Sequence, residues 1–127
     1  MPNTLKIVRE RYEGVTDIPH FCIEIAYENC HLKFEDIYLD NLDILAEQIT
    51  VLAKSRKGKV SLNGGERFQF SLSCNGQGWL EISFRAEPYP FRGYLLLEGS
   101  YLIEGEKTTE VLQNFERLIS QGKMLMI

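Results

Sequence analysis

From Val60 to Phe84 the apolar side chains keep to even positions: Val60, Leu62, Phe68, Phe70, Leu72, Cys74, Leu80, Ile82 and Phe84. The odd positions between them are polar or glycine, with Trp79 the exception. Side chains alternate across a strand, so a shared parity means that successive strands bury one face and wet the other. A hairpin preserves that parity only when its loop holds an odd number of residues. Gly64-Gly65-Glu66 and Asn75-Gly76-Gln77 both fit as three-residue loops, which predicts Leu62 opposite Phe68 and Leu72 opposite Leu80. The segment is an antiparallel meander, and its glycines turn corners. A phosphate cradle would need glycines that lead from a strand into a helix, and here strands lie on both sides.

The flanking sequence supplies the other layers. "HFCIEIAY" alternates through Phe21, Ile23, Ile25 and Tyr27, and "CHLKFEDIYL" through Cys30, Leu32 and Phe34. Closing them on Glu28-Asn29 sets Tyr27 against Cys30, Ile25 against Leu32 and Ile23 against Phe34. The same register puts Glu24 beside Lys33 as a cross-strand charge pair. The apolar phase slips at Glu35-Asp36, which predicts a bulge or the end of pairing. Asp40 is placed to cap a helix whose stripe is Leu42, Leu45, Ala46, Ile49, Leu52 and Ala53, ending near Lys57-Gly58. Pro88 and Pro90 make "RAEPYPFRG" irregular. "YLLLEGSYLIEG" reads as a strand interior to the sheet, with Gly99 a bulge or a close approach. Thr108 or Thr109 caps a second helix striped by Val111, Leu112, Phe115, Leu118 and Ile119, and Gly122 stops it. The greasy tail from Met124 to Ile127 packs back, adds an edge strand or meets another subunit.

Strand runs broken by single helices give α+β: a mainly antiparallel sheet of about six to seven strands, with two helices (about 41–56 and 109–121) packed on one face. A length of 127 residues suits a single domain spanning the whole chain. Apolar residues at 44% and charged residues at 25% are ordinary globular values. A net charge of −4 argues against nucleic acid. The dense basic run Lys54-Ser55-Arg56-Lys57-Gly58-Lys59 sits where a helix ends, where cations complement its dipole. No apolar stretch approaches a bilayer span, and the first residues lack a signal-peptide core, so the expected location is the cytoplasm. Cys22, Cys30 and Cys74 are an odd set without scaffold spacing and are expected as free thiols.

Candidate chemistry meets a geometric obstacle in each case. His20, Cys22, Cys30 and His31 are zinc-ligand types, but the hairpin register puts Cys22 and His31 about 13 Å apart along one face. Buried thiols and solvent-facing histidines are expected instead, with no metal and no cofactor. Ser71, Ser73 and Ser83 lie on a strand's wet face, with no nucleophile elbow and no histidine placed beside them. Glu66, Glu81 and Glu87 could supply a carboxylate pair, yet sequence does not give their separation. No catalytic residue is assigned, and the chain reads as a non-enzyme. Recognition fits better. Trp79 lies on the wet side of the meander with Glu81 and Arg85, and Tyr89, Phe91 and Arg92 lie in the proline-stiffened loop. Trp, Tyr and Arg dominate interface hot spots, and proline lowers the ordering cost. The alternative is that Trp79 lies under a helix and the loop aromatics join the core.

The order of elements resembles the WapI-like immunity proteins of bacterial polymorphic-toxin systems. The resemblance runs over about residues 20–121, through "HLKFEDIYLDNLDILAEQITVLA", "GKVSLNGGERFQFSLSCNGQGWLEISF" and "YLLLEGSYLIEGEKTTEVLQNFERLI". The last helix enters through Glu106-Lys107-Thr108-Thr109, where the family pattern has an Asp-Gln-Thr-Tyr-like segment. The resemblance implies a non-catalytic protein that binds and neutralises a toxin domain. An acidic chaperone or adaptor for a secreted effector, self-associating through Met124–Ile127, is a second reading. A small-molecule-binding domain or small enzyme with a deep pocket is a third.

Overall fold

The computed structural model describes residues 3–10, 19–65, 68–87 and 96–127, with the side chain of Asp36 set aside. The loop residues Tyr89, Phe91 and Arg92 and the turn residues Glu66 and Arg67 lie outside the described residues. The order is β1 (Thr4–Glu10), β2 (His20–Tyr27), β3 (Cys30–Ile37), α1 (Leu42–Ser55), β4 (Lys57–Asn63), β5 (Phe68–Asn75), β6 (Leu80–Ala86), β7 (Leu97–Ile103), α2 (Gly105–Gln121) and β8 (Leu125–Met126). The class is α+β. The strands divide between two four-stranded antiparallel sheets, β3-β2-β1-β8 and β4-β5-β6-β7, rather than forming one. The division follows from α1, which separates the first hairpin from the meander in sequence and packs against both α2 and β4.

The first hairpin has the register its two faces demand. Tyr27 opposes Cys30, Ile25 opposes Leu32, Ile23 opposes Phe34, and the pairing slips between Phe21 and Ile23 to bring Phe21 opposite Ile37. Glu24 and Lys33 are cross-strand neighbours, but the contacts go elsewhere: Lys33 Nζ lies 3.6 Å from Glu35 and His31 Nε2 lies 4.0 Å from Glu24. In the meander the parity holds and the register moves. Leu62 opposes Phe70, not Phe68, and Leu72 opposes Ile82, not Leu80. The second corner is longer than three residues because Gly76 and Gly78 both take positive φ, and Asn75 closes it by accepting from the Gln77 N–H at 2.8 Å. A shift of two leaves every side chain on its expected face.

Three further expectations change. Asn41, not Asp40, caps α1, in a left-handed conformation that Asn tolerates, while the Asp40 N–H donates to Asn63 O at 3.3 Å. Helix α2 starts a turn earlier than expected, after Glu104, so Thr108 and Thr109 lie within its first turns rather than at its cap. Their hydroxyls serve tertiary contacts: Thr108 Oγ1 donates to Gly78 O at 2.6 Å, and Thr109 Oγ1 accepts from the Arg56 guanidinium. The third is β7, which is an edge strand and not interior.

One core cluster joins both sheets to both helices. Phe34 meets Phe68 across the sheets, Phe70 meets Phe115 of α2 edge-on, and Leu112, Leu118, Ile49 and Leu52 complete the helix side. Gly99 is a close approach, as its place in the strand suggests, since Tyr27 and Phe84 fill the space its Cβ would need. The tail forms β8 beside β1, where Leu5 and Ile127 exchange backbone hydrogen bonds at 3.0 and 2.9 Å. Leu125 is buried there, while Met124 and Met126 face outward.

Candidate functional site: the open face of the meander

With the even positions of β4, β5 and β6 and the odd positions of β7 committed to the core, the β4-β5-β6-β7 sheet presents its other face outward. The register arranges that face in three rows across the strands. Ser61, Ser71, Ser83 and Ser100 are directly opposite one another in sequence across all four strands. On one side of this row stand Asn63, Gln69, Arg85 and Glu98, and on the other Lys59, Ser73, Glu81 and Leu102. Serines are short and their neighbours are long, so the face is a trough with a hydroxyl floor. Its volume is about 530 Å³, with Lys59, Asn63, Gln69, Arg85 and Glu98 along its walls.

Charge is balanced along the walls. The Arg85 guanidinium lies 2.8 Å from Glu87 and 3.4 Å from Glu98, which holds it across the ladder between two carboxylates. Ser83 Oγ donates to Glu81 Oε1 at 3.1 Å. Glu81 and Arg85 therefore share one strand and one face, about 13 Å apart at strand rise. Trp79 lies apart from them, just before β6 begins. It is 37% exposed and borders a groove formed with Leu102, the start of α2 and Met126. Of the residues singled out in sequence, Arg85 lines the trough, Glu81 stands on the same sheet face beyond its lining, and Trp79 belongs to a groove that includes Leu102, the cross-strand neighbour of Glu81.

The thiol and imidazole residues are dispersed. His31 is exposed at the hairpin end as expected, and Cys30 is exposed there too, contrary to the buried thiol expected of it, because it sits at the turn; Cys22 is buried and opposes Val8. His20 is buried, contrary to the solvent-facing position expected of it, with Nε2 3.5 Å from Glu10 and its ring beside Tyr38. Pairing with β1 accounts for this, because Glu10 opposes His20 on that strand. Burial pushes the thiols of Cys22 and Cys74 up from their ordinary value; for Cys74 the Arg56 charge partly opposes the shift, and for Cys22 Lys33 does so against Glu10, Glu35 and Glu24. Among the described residues no three His, Cys, Asp or Glu side chains converge as a metal site would require. None of the described helices is long and apolar enough to cross a membrane.

Sequence reasoning missed Ser61 and Ser100 as members of the floor, and Leu102 and Met126 beside Trp79. Ser61, Ser71 and Ser83 follow from parity once the register is known, whereas Ser100 sits at an even position because β7 carries the opposite parity. For Leu102 no signal existed while β7 read as an interior strand. No family model matches the chain, and no curated protein or solved structure matches it.

Proposed function

We propose that this chain is a non-catalytic protein-binding domain of the immunity type, one that binds a toxin domain of a bacterial polymorphic-toxin system in the cytoplasm and neutralises it. The observation that supports the reading is the open trough. A sheet held in register by three ladders is already ordered, so a partner that docks on it does not have to immobilise it. Short serines let a partner's backbone come close, while Lys59, Glu81, Arg85 and Glu98 fix its orientation through charge. The core residues beneath, Leu72 and Ile82 among them, keep the floor rigid.

The test is neutralisation. Toxin domains encoded beside this chain's gene are expressed in a bacterial host with and without it. Restored growth and a one-to-one complex on size exclusion are expected, both lost in Ser71→Arg and Ser83→Arg while circular dichroism is unchanged. Neutralisation of none of these toxins, or neutralisation that survives both substitutions, overturns the reading.

The trough's volume also favours a second reading, a small polar ligand seated on the serine floor. Saturable chemical shifts confined to the serine row on adding a sugar or amino-acid set, with no toxin neutralised, would select it.

A further inference from the structure

The outermost strands of the two sheets, β7 and β8, border a second depression of about 920 Å³, with the start of α2 as its third wall. Trp79, Leu102 and Met126 line it, and each is at least 37% exposed. A soluble surface that gathers large apolar side chains in one groove marks a contact site more often than chance scatter does. Among the described residues the rim carries one sign in excess: Glu104, Glu106 and Glu110 stand against Lys107. The groove is therefore apolar at its base and negative at its edge.

Its walls add a backbone requirement. The Ser100 N–H donates to the Tyr27 hydroxyl at 3.4 Å, so it points away from β6. Alternation along an antiparallel strand then turns the N–H and C=O of Leu102 the same way, toward the groove. An edge strand with outward donors and acceptors is a template for one more strand.

We propose that this groove receives an extended segment of the partner protein that alternates apolar and basic residues, added alongside the end of β7. The apolar side chains meet Leu102 and Met126, a Lys or Arg stacks on Trp79, and the remaining cations face the three glutamates. Charge complementarity selects this occupant over a second copy of the chain, which carries a net charge of −4. The inference rests on the protein-binding reading and names a second contact beyond the trough.

Trp79 is the single tryptophan of the chain, so its fluorescence reports on the groove alone. The intact protein is titrated with an eight-residue peptide alternating lysine and valine, and with its glutamate–valine counterpart. A saturable shift of Trp79 emission to shorter wavelength is expected with the first peptide only. The triple substitution Glu104→Lys, Glu106→Lys and Glu110→Lys, all at exposed positions, is expected to weaken it by about tenfold or more. No shift with the lysine peptide, equal binding of both peptides, or indifference to the charge reversal overturns the proposal. So does a dimer in sedimentation that Met126→Lys dissociates. A failed titration beside toxin neutralisation that still depends on Ser71 and Ser83 removes the groove and leaves the protein-binding reading standing. A successful titration with no toxin neutralised keeps the groove as a site for a basic extended segment and removes the immunity reading alone.

Discussion

A Cβ built on Gly99 would stand 2.6 Å from Cζ of Tyr27. The middle of β7 thus lies directly against that ring, and the ring cannot retreat freely: it packs edge-on to Phe84 and to Tyr101, with centroids 5.2 and 5.7 Å away. Gly99 here supplies space rather than conformational freedom. Gly99→Ala is expected to cost about 1–3 kcal/mol by overpacking. In a Tyr27→Ala background the same change should cost less, because the nearer of two obstructing rings is gone and Phe84, whose Cζ lies 2.9 Å from that Cβ, gains room to move. Urea denaturation of the four proteins checks this, and equal costs in the two backgrounds would refute the steric account.

Thr108 is fully buried, and its hydroxyl ties α2 to the corner before β6 through Gly78 O. Thr108→Val keeps the shape and removes the donor, leaving that carbonyl without its partner. A loss of about 1–3 kcal/mol is expected. Thr108→Ser retains the donor and should recover part of it. If Val and Ser variants unfold at the same urea concentration, the hydrogen bond carries no weight.

Tyr101 sets a pH dependence. Burial, and then the neighbouring Tyr27, push its hydroxyl up to about 12 from an ordinary 10.0, while it donates to Thr4 O at 2.8 Å. The folded state therefore holds this proton more tightly than the unfolded chain. Its contribution to stability is complete below pH 10 and is lost as pH rises from there toward about 12, at about 1.4 kcal/mol per pH unit within the window. Tyr101→Phe has no such proton. It should be less stable at neutral pH by about 1 kcal/mol, and its deficit should shrink from pH 10 upward. Parallel stability curves for the two proteins above pH 10 would exclude the assignment.

The three free cysteines should separate cleanly by reactivity. Cys30 is exposed at the first hairpin's turn, whereas Cys22 and Cys74 are buried with their thiols pushed up by that burial. At neutral pH an aromatic disulfide reagent is expected to modify one thiol per chain quickly, and Cys30→Ser should abolish the fast phase. The other two should react only at the rate of unfolding. A fast phase that persists without Cys30 would contradict the burial of the remaining pair.

Faces were legible in the sequence and edges were not. Parity fixed which side of Val60, Leu72 and Ile82 meets the core, and the first hairpin's register followed because only one alignment satisfies both of its faces. Loop lengths did not follow, since Gly76 and Gly78 allow more than one corner and parity cannot distinguish a slip of two. Strand β1 escaped notice because Leu5 and Ile7 are too short an alternation to stand alone. The edge position of β7 depends on sheet order, which is set by tertiary packing. Glu81, Arg85 and an exposed Trp79 were legible on the meander, but that Trp79 borders a groove with Leu102 and with Met126 of the other sheet depends on that same packing.

The pairing of β8 with β1 has a consequence for the path by which the fold is reached. Strand β1 pairs with β2 along its length, and the meander pairs strands that are neighbours in sequence. Strand β8 instead meets β1 across most of the described chain, where Leu5 and Ile127 exchange their hydrogen bonds. Contacts of such long sequence separation are slow to form. Docking of β8 is then a late step, and until it occurs the outer side of β1 stands open as a template for a strand of another molecule.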